Sequence, residues 1–176
     1  ELVVRVGLRS LCEHLVGFPR VAEGEVGGGP RGEISMTIVG IGTQILECVR
    51  IRELIEHHGE LFLQQVFTDS EIAWCNNQKH TTEYFTALWA VKEAAFRAVG
   101  VASRRACRWK DLTVRGSTIA AIHLQANGAT RDHMEQHGIS HFLVTAAYCR
   151  IFATATVLAL RGGSAPAYPG ETMVDL

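Results

Sequence analysis

The stretch Phe85-Thr86-Ala87-Leu88-Trp89-Ala90-Val91-Lys92-Glu93-Ala94-Ala95-Phe96-Arg97-Ala98-Val99-Gly100 decides the fold. Its apolar residues fall at 84, 88, 91, 95 and 99, with 85, 89 and 96 beside them. That three-four spacing predicts a long helix over 82–99, buried on most of its circumference and ended by a glycine. One lane escapes the apolar surround: Thr86, Ala90, Glu93 and Arg97 share a face. Glu93 and Arg97 read either as a solvated i,i+4 pair worth about 0.2–0.5 kcal/mol or as part of a site, and the helix alone does not separate the two.

Before the helix, Thr37-Ile38-Val39-Gly40-Ile41-Gly42-Thr43 predicts a β-branched strand whose two glycines admit close approach by a neighbour or a ligand. Glu47 to His58 follows as a short helix with Cys48, Ile51, Leu54 and Ile55 inward, Arg50 and Arg52 outward, and Gly59 as its stop. Thr68-Asp69-Ser70-Glu71 is a capping box, and Phe67 with Ile72 takes the two positions of a hydrophobic staple, so a further helix starts at Asp69.

After the helix, Ser103-Arg104-Arg105 reads as a loop, and Trp109-Lys110-Asp111 leads into strands at 112–115 and 118–126 joined by a turn at Gly116-Ser117. Asn127 is placed to cap a helix from Gly128 to His137, closed by Gly138. Two more strands occupy 139–146 and 151–160, and the alternation of Ala153, Ala155, Val157 and Ala159 with Phe152, Thr154, Thr156 and Leu158 suggests a strand covered on both faces. One strand, several helices, a hairpin, a helix and a last strand pair define an α+β domain: a mainly antiparallel sheet with a long buried helix and shorter helices on one face.

Length and composition fit one such domain, expected over 36–160 of the 176 residues. Residues 1–35 carry the glycine-rich run Glu23-Gly24-Glu25-Val26-Gly27-Gly28-Gly29-Pro30 and are expected to be an N-terminal extension, with Met36 as the natural start. Residues 161–176 revert to Gly, Pro and Ser and are expected to be a flexible tail. A net charge of -1 gives no basic field for nucleic acid, and no apolar run approaches the length of a membrane span. Five widely spaced cysteines without a C-x-x-C pair suggest reduced thiols rather than a disulfide framework or zinc knuckle. His133 and His137 lack the H-E-x-x-H order of a zinc protease and are assigned to the surface.

From residue 38 onward the sequence resembles the holo-acyl-carrier-protein synthase branch of the phosphopantetheinyl transferases. The resemblance rests on Val39-Gly40-Ile41-Gly42-Thr43-Gln44-Ile45 against V-G-I-G-T-D-I and on Arg50-Ile51 in the next helix. It continues through Val66-Phe67-Thr68, Glu71-Ile72-Ala73, Trp89-Ala90-Val91-Lys92-Glu93-Ala94 against [FW]-x-x-K-E-A, and Trp109-Lys110-Asp111. It implies the fold of that family and an enzyme moving 4'-phosphopantetheine from coenzyme A to a serine of an acyl carrier protein, releasing adenosine 3',5'-bisphosphate, in support of fatty acid or polyketide synthesis. It further implies a cytoplasmic homotrimer.

The resemblance assigns magnesium, with manganese as a substitute, to Glu93 and position 44. Lys92, Arg97 and Gly100 are placed beside the coenzyme A phosphates, with Glu93, Lys92 and Arg97 as the catalytic set. Arg50, with Arg52 as a helper, is placed against the acidic carrier protein. Such assignments suit the side chains: magnesium takes oxygen ligands and substrate phosphate, and cations neutralise a transferring phosphoryl group.

The departures cluster. Gln44 stands where the family has its metal-binding aspartate, which removes a negative charge and predicts weakened cation binding. Gly100-Val101-Ala102 replaces G-T-G, Thr145-Ala146-Ala147-Tyr148 replaces S-x-S-H, and Arg97 replaces a lysine. The alternative implied by these changes is a catalytically impaired paralogue that binds a carrier protein or coenzyme A without turnover.

Overall fold

The computed structural model describes residues 36–100 and 108–163. The expected extension over 1–35, the loop at Ser103-Arg104-Arg105 and the tail beyond 163 lie outside the described residues. The elements are β1 (Thr37–Glu47), α1 (Cys48–Val66), α2 (Asp69–Asn76), α3 (Thr81–Ala98), a single 3-10 turn (Trp109–Asp111), β2 (Leu112–Thr118), β3 (Ala121–Ala126), α4 (Gly128–Gln136), β4 (His141–Tyr148) and β5 (Phe152–Arg161). Three strands form an antiparallel sheet in the order β1-β5-β4, and β2 pairs with β3 in a separate antiparallel hairpin. The expected α+β class is what the structure shows.

Helix α3 is the centre of the domain, and every residue from Phe85 to Phe96 is buried. One side of it lies on the inner face of the sheet, against β1 and β5. A Cβ at Gly40 would fall 2.0 Å from the carbonyl oxygen of Ala98, and one at Gly42 would fall 1.9 Å from that of Ala94. The neighbour admitted by the two strand glycines is therefore the backbone of α3. Around the rest of the helix, Phe62 meets Trp89 at 5.2 Å, Phe67 meets Phe85 at 5.0 Å, and Phe96 meets Trp109 at 5.3 Å between ring centroids. These aromatic contacts draw α1, the α1–α2 junction and the 3-10 turn onto α3.

Several boundaries differ from the sequence reading, each for a physical reason. Gly59 does not stop α1: it takes φ 52 and ψ -135 as a kink, and the helix resumes to bury Phe62 and Val66. The burial gained beyond the glycine outweighs its break in hydrogen bonding. The β2–β3 turn falls at 119–120 rather than at Gly116-Ser117, because Gly116 pairs with Ile122 across an irregularity in the ladder. Asn127 occupies the N-cap position of α4, yet its side chain makes no capping hydrogen bond. At α2 the capping box forms as expected: Thr68 N donates to Glu71 Oε2 at 2.7 Å, and Glu71 N to Thr68 Oγ1 at 3.4 Å.

The faces of the sheet also differ from expectation. Ala153, Ala155, Val157 and Ala159 are buried against α3, whereas Phe152 and Thr154 on the other face of β5 are exposed. Ile41 and Ile45 of β1 share that outer face and are 59 % and 64 % exposed. Among the described residues, helix α3 covers the inner face of the sheet and Ile41, Ile45, Phe152 and Thr154 of the outer face are exposed.

Candidate functional site

Strand β1 and helix α3 build the site between them. Alternation along β1 turns Gly42, Gln44 and Leu46 inward, and the inward row at Gln44 continues through Ala155 of β5 to Ala146 of β4. The glycine contacts bring β1 close enough to α3 for Arg97 to reach across. Its Nη1 donates to the backbone oxygen of Thr43 at 2.5 Å and to Gln44 Oε1. Glu93 lies one turn earlier on the same lane of α3 and is 3 % exposed; Gln44 is 9 % exposed.

Of the two readings of this lane, the solvated pair is set aside, because the lane is turned under the sheet: Thr86 and Ala90 are fully buried, Glu93 nearly so, and only Arg97 is half-exposed. Helical periodicity identifies residues on one face but not what packs on it. Gly100 follows α3 at φ 71, and a Cβ there would meet nothing within 4 Å among the described residues.

Lys92 is not at this site. Its Nζ is fully buried and donates to Glu71 Oε2 at 2.7 Å, Val66 O at 2.9 Å and Trp109 O at 3.3 Å, and it stands 5.4 Å from the centre of the Phe67 ring. Burial lowers its pKa, while Glu71 acts in the opposite direction. The expectation that Lys92 neutralises a pyrophosphate is therefore corrected: the ammonium is enclosed on the far side of the lane, with its donors directed at protein oxygens. The pairing of Glu71 with Lys92 is what the sequence reading missed. Its Oε1 also accepts from Val114 N at 2.8 Å, so one carboxylate joins the start of α2, helix α3 and strand β2. The available signal was Lys92 itself, since a lysine amid apolar helix positions calls for a buried partner.

Arg50 and Arg52 are both exposed on α1, where Cys48 and Ile51 are buried. Two positions apart on a helix, they point about 200° away from each other and do not make one patch. Tyr148 lies in the inward row beyond Gln44, paired through Ala153 with Leu46. Its ring packs on Tyr84 at 5.3 Å, and Tyr84 packs on Trp74 at 5.8 Å; burial and then Tyr84 raise the pKa of its phenol. His133 and His137 stack at 4.1 Å and bond backbone oxygens, and no group of three or more metal-ligating side chains occurs among the described residues.

The donor set does not fit the expected magnesium centre. Magnesium takes hard, mostly anionic oxygens. Here the expected ligands are one carboxylate, Glu93, and the neutral amide of Gln44, whose oxygen already accepts from a guanidinium. A divalent ion on that oxygen would stand beside a permanent positive charge.

Comparison with known proteins agrees with the sequence resemblance. Residues 40–154 match the profile of the 4'-phosphopantetheinyl transferase superfamily. The chain is 34 % identical over 123 residues to a holo-[acyl-carrier-protein] synthase of Rhodopirellula baltica, a match covering 70 % of this chain and 98 % of the relative. It is 32 % identical over 130 residues to the synthase of Chlamydia pneumoniae, covering 71 % and 99 %. Among solved structures, the holo-[acyl-carrier-protein] synthase of Neisseria meningitidis superposes with a TM-score of 0.64 at 25 % identity, covering 70 % and 98 % of the two chains. The Helicobacter pylori synthase in complex with coenzyme A has a TM-score of 0.59 at 22 % identity, covering 68 % and 98 %, a likeness of fold.

Proposed function

The chain belongs to the 4'-phosphopantetheinyl transferase superfamily, and from that premise we propose that it transfers 4'-phosphopantetheine from coenzyme A to a serine of an acyl carrier protein. The observation that carries this reading is the placement of Glu93 and Arg97 on one lane of α3, held beneath β1 at Gln44. In the reaction the serine oxygen forms a bond to the phosphorus bearing pantetheine. The bond from that phosphorus to the leaving adenosine 3',5'-bisphosphate breaks, and the serine proton is released. Arg97 faces the negative charge carried by the phosphoryl oxygens. Glu93 is the carboxylate of this lane that receives the serine proton. Gly100, which carries no side chain past the end of α3, lies beside the phosphates. Because the donor set does not fit magnesium, no step is routed through a metal.

Arg50 meets the acidic carrier protein, with Arg52 turned elsewhere on the helix. The active assembly is a homotrimer, supported by the apolar outer face of the sheet around Ile41, Ile45 and Phe152. No helix among the described residues is long and apolar enough to cross a membrane, and the cytoplasm, where fatty acid or polyketide synthesis is supplied with carrier protein, is the proposed location.

The test is transfer of labelled phosphopantetheine from coenzyme A to a panel of apo acyl carrier proteins, with Glu93→Ala as control. Turnover in the wild type that falls by at least about 100-fold in the variant supports the assignment. Wild-type turnover no higher than the control, together with saturable carrier-protein or coenzyme A binding, establishes instead the impaired paralogue that Gln44 and Tyr148 favour.

A further inference from the structure

Position 44 and position 97 make a matched pair. A carboxylate at 44 would both attract the Arg97 guanidinium and cancel its charge. The amide of Gln44 holds the guanidinium through Oε1 without cancelling it, and the carbonyl of Thr43 holds the same nitrogen. A guanidinium does not lose its proton in a protein, so the charge is permanent. Its fork geometry suits phosphate oxygens. Glu93, one turn away on α3 and nearly buried, gives the lane its negative partner. A fixed positive charge thus engages the Gln44 oxygen, at the position where the family resemblance places a metal ligand.

We infer that Arg97, seated on Gln44, takes the place of the divalent cation, so that this chain binds the pyrophosphate of coenzyme A without metal. This rests on the proposed reading of the chain as a coenzyme A-dependent transferase. The two substitutions act together: Gln44 removes the anionic ligand, and the Arg97 fork takes over its oxygen and brings the charge.

Calorimetric titration of the full chain with coenzyme A, once in EDTA and once in millimolar magnesium, tests it. The expected result is an affinity that differs by less than about twofold between the two buffers. The double variant Gln44→Asp with Arg97→Lys should become metal-dependent, binding at least about tenfold more weakly in EDTA. Manganese alone, followed by its electron paramagnetic resonance signal, should remain free with the wild type and be bound by Gln44→Asp with Arg97→Ala. Wild-type binding that drops tenfold or more on chelation, or wild-type sequestration of manganese, overturns the inference and leaves the functional reading standing. Failure to bind coenzyme A in either buffer overturns the functional reading itself and the inference with it.

Discussion

Gly42 of β1 and Ala94 of α3 touch backbone to backbone: a Cβ on the glycine would lie 1.9 Å from the alanine carbonyl oxygen. The strand carrying Gln44 and the helix carrying Glu93 and Arg97 are set at that spacing. Gly42→Ala must push them apart, with an expected loss of about 1–3 kcal/mol in urea denaturation. Gly100→Ala is the contrasting case. Among the described residues nothing lies within 4 Å of a Cβ there, and the cost is that of the backbone at φ 71, about 1–2 kcal/mol. Because Gly42→Ala moves β1 against α3, transfer activity should fall in it even at equal fraction folded.

Lys92→Met leaves the Glu71 carboxylate buried without its cation. The expected destabilisation is about 3–5 kcal/mol, read from the denaturation midpoint. Combining it with Glu71→Gln should recover part of that loss, since no uncompensated charge then remains. If Lys92→Met left the midpoint unchanged while abolishing coenzyme A binding, Lys92 would belong to the site after all.

Thiol chemistry separates the three cysteines of the described region. Cys149 is exposed, and hydrogen bonds from the Phe152 and Ile151 amides lower its pKa; burial raises that of Cys48. Iodoacetamide followed by peptide mapping should label Cys149 first, with Cys48 and Cys75 protected until the chain unfolds.

The Cys75 thiol is pushed up to about 12 from an ordinary 9.0, by burial first and by the Glu71 charge second. The folded chain therefore keeps a proton that the unfolded chain releases above pH 9. The stability this contributes is complete below pH 9 and is lost as pH rises toward about 12. Stability measured across that window should decline more steeply in the wild type than in Cys75→Ala.

Ile45→Glu tests the outer face of the sheet. The side chain is 64 % exposed within one chain, so the fold should tolerate the change. Light scattering should show a threefold mass for the wild type and a single-chain mass for the variant. An unchanged mass in both would remove the proposed trimer.

What the sequence discloses here follows from the range of the interaction. The capping box at Thr68 and Glu71 is written within four residues and forms as read. The burial of α3 follows from its own periodicity. Lys92 was misplaced because its partner lies 21 residues away, and nothing local in either residue names the other. The helix alone leaves the lane of Glu93 open between solvent and site, because two small residues and two charges look alike whether they face water or a glycine-bearing strand. Gly59 was read as a stop because what decides its fate, the burial of Phe62 and Val66, lies beyond it. Gln44 was found by resemblance, but its engagement by Arg97 needed the crossing of strand and helix.

The order of the sheet has a consequence for synthesis. The middle strand, β5, is the last of the three along the chain, and β1, the first, pairs with it from Thr37↔Arg161 to Glu47↔Phe152. β1 and β4 have no ladder with each other until β5 lies between them. While the chain is being made, Gln44 therefore waits on a strand with no partner, although helix α3 has long since been completed. Assembly of the site is deferred until residues 152–161 have left the ribosome, and closing a loop of this length makes the step slow compared with helix formation.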